Sequence, residues 1–240
     1  MTSGRIRTRA RRAIADLRGF TNPERQAATL NYFPSAMENL GVAVPDIRKV
    51  LRATRKDVRE WSDDDVHALA LAIIGEATLE GRQLAYELIA SRKSLLLALK
   101  AADVKRLGKG MDNWVSTDVF SCAIAGQLWR ERVLSDAEIL RWARSRDRWW
   151  RRASLASTIP LNMQSRGGSG DVERTLIVCE LLAADQEEMV AKALSWALRS
   201  LIAVSAVAVE NFLAEHDDVI AARVRREVRN KLETGRKSGA

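Results

Sequence analysis

The chain has 240 residues, with 39 Lys and Arg against 31 Asp and Glu for a formal charge of +8. That is long enough to bury a sizeable core, and the charge favours a polyanion as partner over an acidic small molecule, a soluble basic surface being the plainer account of the same charge. Two cysteines without CxxC spacing, Cys122 and Cys179, and two histidines without ligand-spaced partners, His67 and His216, exclude a disulfide framework, a zinc site and a His-based triad. No metal or other cofactor is therefore expected, and a reducing cytoplasm is the expected location.

Four prolines, few aromatic residues and no sustained apolar/polar alternation argue against sheets, whereas period-3.6 patterning recurs nearly throughout. The expected class is all-α. The Arg-rich start, through Phe20, lacks the unbroken apolar stretch of a secretory signal and reads as a first amphipathic helix. Pro45 then stands in a first helical turn after Gly41, and Ser62 followed by three aspartates opens another helix. Past the Gly108-Lys-Gly110 turn, Asn113 caps a helix beginning at Trp114, and Ser135 with Glu138 has the spacing of a capping box. The loop Arg166–Gly170 has neither GxGxxG nor P-loop spacing and reads as a connection. The longest apolar run, Leu201–Val209, is too short to span a bilayer.

Helices of roughly 10 to 20 residues joined by short turns, paired at intervals of about 35 to 45 residues, are the pattern of HEAT-type stacking. A faint repeat supports it: Arg152-Ala153 recurs as Lys192-Ala193. The expected architecture is a curved α-solenoid of about six HEAT-like helical repeats over residues 1–234, with a flexible basic tail at 235–240.

Three clusters carry candidate chemistry. On the helix after Asn113, Val115, Val119, Cys122, Gly126 and Trp129 form the expected buried stripe, with Trp114 and Asp118 one turn apart beside it. A tryptophan and a carboxylate on one strip, continued by Ser121 and Ala125, could line a cleft; a solvated Asp and a packed Trp is the plainer reading of that helix alone. On the helix 186–204 the expected stripe is Val190, Leu194, Ala197, Leu201 and Val204, which leaves Trp196 on the side of Lys192 and Arg199. That ring is either a nucleic-acid contact or inter-repeat packing. Between these helices, Asp147-Arg-Trp-Trp-Arg-Arg152 is read as one buried tryptophan and at least one arginine facing a phosphate.

Taken together, Asn113-Trp114-x-x-x-Asp118, Trp150-x-Arg152-x-Ser-Leu and Lys192-Ala-Leu-Ser-Trp196-Ala-Leu-Arg199, preceded by Tyr32-Phe-Pro and Leu40-Gly-Val-Ala-Val-Pro45, resemble the AlkD family of alkylpurine DNA glycosylases across about residues 20–205. The resemblance implies a solenoid that holds duplex DNA on a basic concave face without extruding the base. It also implies a catalytic set of Trp114, Asp118 and Trp196, with Arg152 and Tyr32 as DNA contacts; Lys192 and Arg199, flanking Trp196, join them as expected contacts. The sequence departs from the family at Ala43, where a polar residue is usual, and at Pro34, which interrupts a usually basic stretch.

The chemistry fits those residue types. Alkylation at N3 or N7 makes a purine cationic, so it departs without a general acid and one carboxylate can suffice. The expected function is a monomeric DNA glycosylase that excises such purines from duplex DNA by hydrolysing the N-glycosidic bond. The alternative is a HEAT-repeat scaffold that binds nucleic acid or protein without chemistry.

Overall fold

The computed structural model describes residues 3–30 and 32–237, the side chain of Leu30 excepted. Residues 238–240 of the expected tail lie outside them. The helices run, in chain order, α1 (Ser3–Arg18), α2 (Pro23–Leu30), α3 (Val44–Asp57), α4 (Asp63–Gly75), α5 (Leu79–Ala90), α6 (Lys93–Ala98), α7 (Ala101–Gly108), α8 (Trp114–Phe120), α9 (Gly126–Arg130), α10 (Asp136–Ala143), α11 (Arg148–Ala156), α12 (Ile159–Asn162), α13 (Val172–Leu181), α14 (Glu188–Leu201), α15 (Ala206–Glu215) and α16 (Ala222–Thr234). A π-helical turn, Ser121–Ala125, joins α8 to α9. Among the described residues there is no strand, only an isolated bridge between Glu38 and Thr78. The protein is all-α, as its patterning requires, with helices stacked as in a HEAT-like α-solenoid.

Contacts divide the chain into two compact units, Met1–Ile124 and Ala125–Ala240. In the first, α1 packs on α3, α4 and α5, and α5 packs in turn on α8. Its core includes Ala13 and Leu17 of α1, Ile47 of α3, Leu69 and Ile73 of α4, and Leu84 and Leu88 of α5. In the second, α14 lies between α11 and α16, burying Val190, Ala193, Leu194, Ala197, Leu198 and Leu201. Val204, expected to continue that stripe, lies beyond the end of α14 and is 37% exposed.

The caps account for where helices begin. Ser62 accepts from the Asp65 amide at 3.2 Å, and Asp63–Asp65 set three negative charges against the helix dipole of α4. Asn113 Oδ1 accepts from the Ser116 amide at 2.9 Å. Ser135 Oγ accepts from the Glu138 amide, but the Glu138 carboxylate turns to Trp142 Nε1 and Arg141. The expected capping box is thus formed by its Ser135 half. Glu187 caps α14 by accepting from the amides of Met189 and Val190.

The stripe expected on the helix after Asn113 is corrected by the π turn. Cys122, Gly126 and Trp129 are buried as expected, but upstream the buried face runs through Ser116, Thr117, Phe120 and Ser121, while Val115 and Val119 are only half-buried. A π turn holds one residue more than an α turn, so the phase on its two sides differs by about one position. Beyond it, Gly126 closely meets the turn from α11 into α12: a Cβ there would stand 2.5 Å from the Ser157 carbonyl oxygen and 2.8 Å from Pro160.

Tyr86 ties α5 to the end of α7. Its hydroxyl donates to the Leu107 carbonyl and accepts from Arg82 Nη1, while Arg82 Nη2 donates to the Lys109 carbonyl. Burial pushes the Tyr86 phenol up to about 12, against the smaller opposing effect of Arg82. The folded value lies above the unfolded one, so this contribution is complete below pH 10 and is lost as pH rises towards 12. Chemical denaturation between pH 9 and pH 12 should therefore show alkaline destabilisation of about 2 kcal/mol that Tyr86→Phe removes.

Candidate active site

In the first unit, a cavity of about 400 Å³ opens between α2, α3, α5, α8 and the non-helical segment 32–43. Trp114 and Asp118 line it one turn apart on α8, together with Val115 and Val119 of the same helix and Tyr32 and Phe33 of the non-helical segment. The aromatic wall is packed edge to face: the Trp114 ring lies 5.4 Å from Tyr32 and 5.9 Å from Phe33, at 82° and 88°. Trp114 Nε1 points at the Tyr32 carbonyl at 3.5 Å. Tyr32 itself is 66% exposed, a large apolar ring left at the rim. Ser121 and Ala125, expected to extend the open strip, are instead fully buried.

A second carboxylate, Glu80, lines the same cavity, although the sequence pointed to none beside Asp118. Its two oxygens accept from the amides of Leu40 and Val42, each at 3.0 Å. Asp112 grips the same segment through Ser35 Oγ at 2.7 Å and the Ala36 amide at 2.6 Å. Gly41 is needed between them, with φ of 69° and a hypothetical Cβ only 2.4 Å from the Asn22 carbonyl oxygen. With Arg25 as the cation of the lining, two carboxylates face one guanidinium, a balance suited to a cationic ligand.

The other expected site residues stand in the second unit. Trp196 and Arg199 line a cavity of about 690 Å³ with Ser165, Ser169 and Lys231. Lys192, one turn before Trp196, is half-buried and paired with Glu188 at 2.7 Å. Arg199 Nε donates to Ser195 Oγ, which donates to the buried Glu227 at 2.6 Å; burial holds the Arg199 pKa below its ordinary value. Lys231 had no sequence signal, because its neighbours in the cavity come from other helices.

Of the 147–152 cluster, Trp149 is buried with Arg148 stacked over its ring at 4.9 Å, and Trp150 packs on Trp142 at 4.8 Å. Arg151 is bound to Asp185 at 2.7 Å. Arg152, expected to face DNA, is 5% exposed, its Nη1 donating to the Met189 carbonyl at 2.6 Å. A long apolar stem with a head anchored on α14 accounts for that burial. Among the described residues, no group of three or more His, Cys, Asp or Glu side chains is placed to hold a metal. No helix among them is long and apolar enough to cross a membrane.

Glu80→Gln leaves one of the two amides it serves without its acceptor. The variant should lose about 1–3 kcal/mol of stability, and hydrogen exchange at Leu40 and Val42 should accelerate while amides of α14 keep their protection.

A family model described as DNA alkylation repair enzyme matches residues 13–232. No curated protein matches the chain.

Proposed function

The chain belongs to the DNA alkylation repair enzyme family, and from that premise we propose that it is a glycosylase releasing cationic N3- and N7-alkylated purines from duplex DNA. The observation that carries this reading is the first-unit cavity, where Asp118 shares a wall with the edge-to-face group of Trp114, Tyr32 and Phe33. An aromatic face attracts a cationic nucleotide by about 0.5–2 kcal/mol, depending on desolvation. A carboxylate beside it opposes the positive charge that grows on the sugar as the base leaves.

In the proposed reaction the bond between C1′ and the purine nitrogen breaks, and its electron pair goes to the purine, cancelling the positive charge of the alkylated ring. Water adds to C1′ and gives up a proton to solvent or to Asp118. The products are the free alkylpurine and an abasic site. The base departs already cationic, so the chemistry asks for no acid at the leaving group. Glu80, which lines the cavity, is engaged by two backbone amides. It is assigned the task of holding the segment that carries the aromatic wall.

We assign Trp196 to the DNA, as a second aromatic contact, and Tyr32, Lys192, Arg199 and Arg152 to the DNA strands. Arg152 would supply a fixed charge on α11 more than an exposed surface. The chain is taken to act as a monomer.

The decisive comparison is wild type against Asp118→Asn, under single-turnover conditions, on a 7-methylguanine duplex and on a uracil duplex. Excision of 7-methylguanine should fall by on the order of 10²-fold while binding to the duplex persists. Equal rates for the two proteins would remove Asp118 from the mechanism. Rapid uracil excision by wild type would overturn the claim that leaving-group charge drives the reaction. Binding without release of any alkylpurine would identify a DNA-binding scaffold instead.

A further inference from the structure

The α1 surface carries a second feature, outside the cavity of Trp114 and Asp118. Arg5, Thr8, Arg9 and Arg12 share one face of α1 and, with Asp57 and Trp61, line a cavity of about 450 Å³ in the first unit. Arg5 lies over the Trp61 ring at 5.2 Å, which keeps its guanidinium along the cavity wall. Arg9 is 8% exposed. Its Nη2 donates to Thr54 Oγ1 at 2.8 Å and lies 3.1 Å from Asp57 Oδ2, but its buried Nε and Nη1 have no partner.

Buried guanidinium donors without acceptors are costly and uncommon. Asp57 engages Arg9 through one nitrogen only, and its side chain is 44% exposed, at the solvent side of the pair. Three arginines against one aspartate leave two positive charges in the lining. Asp16 also acts on Arg9 and Asp65 on Arg5, both from outside that lining. A phosphate group matches the surplus: it carries up to two negative charges and several acceptor oxygens, which suit planar guanidinium donors and the Thr8 hydroxyl.

We propose that this cavity is a phosphate-binding site, in which the anion displaces the Asp57 carboxylate and takes up the unmatched donors of Arg9 between Arg5 and Arg12. The phosphate comes either from the backbone of bound DNA or from a free phosphate ester. The site does not depend on the glycosylase reading, and Arg5 and Arg12 have no part in the proposed chemistry.

The test is calorimetric titration of the full-length protein with inorganic phosphate at constant ionic strength. The expected result is saturable binding that weakens by about tenfold or more in the Arg5→Ala/Arg12→Ala variant, as loss of charge-assisted donors does. Asp57→Asn, which removes the competing anion, should tighten it. Both arginines are exposed, so the double variant should keep the wild-type melting temperature in phosphate-free buffer. Absence of saturable binding, or equal affinity in wild type and the double variant, overturns the proposal. A second arm identifies the source. If a DNA phosphate occupies the site, the double variant lowers the slope of log K against log salt for duplex binding by about 0.9. An unchanged slope, with phosphate binding lost, assigns the site to a free phosphate ester.

Discussion

The stretch from Tyr32 to Ala43 has no helix to satisfy its amides, yet it forms one wall of the first-unit cavity. Two acids from elsewhere in the chain hold it: Glu80 on α5 takes the amides of Leu40 and Val42, and Asp112 takes Ser35 and Ala36. An ionised carboxylate is the strongest acceptor a side chain offers an amide, and two oxygens allow each acid to fix two points of the segment. Glu38 adds a backbone bridge to Thr78. The edge-to-face geometry of Tyr32 and Phe33 on Trp114 depends on this clamp, because neither ring belongs to an element rigid in its own right. Glu80 and Asp118 both line the cavity from helices, α5 and α8, but the oxygens of Glu80 are taken by the amides of the segment it holds.

The arginines are divided in a similar way. Many are committed within the protein: Arg92 to the carbonyls of Val58 and Trp61, Arg174 to Asp171 and the Trp129 carbonyl, Arg151 to Asp185. These guanidiniums cover the carbonyl ends of helices, which a stack of short helices leaves in large number. The formal charge of +8 is thus a poor count of the cations able to meet a phosphate. Those that line cavities, such as Arg5, Arg12, Arg199 and Lys231, are a smaller and more localised set.

Helix class, capping by Ser62 and Asn113, and the pairing of Trp114 with Asp118 on one strip were legible in the sequence, because each is a local matter of spacing. What escaped it depends on distant partners or on a break in periodicity. The π turn shifts the phase between Val119 and Cys122, so a stripe extrapolated from Trp129 at 3.6 residues per turn misplaces Val115 and Val119 on the buried side. Glu80 looks like an ordinary acid in a first helical turn, and only the folded chain brings it to amides 38 and 40 positions away. Arg152, which the resemblance gives as a DNA contact, donates to a carbonyl on α14, 37 positions ahead, a contact that no local spacing announces.

The two cysteines bear on how the chain itself would meet alkylating reagents. Cys122 is 4% exposed and Cys179 fully enclosed, and burial pushes the Cys179 thiol far above its ordinary pKa. Sulfur attacks electrophiles as the thiolate, and only when a reagent can reach it. Small electrophiles of the kind that modify purines thus meet no exposed cysteine thiol on this chain.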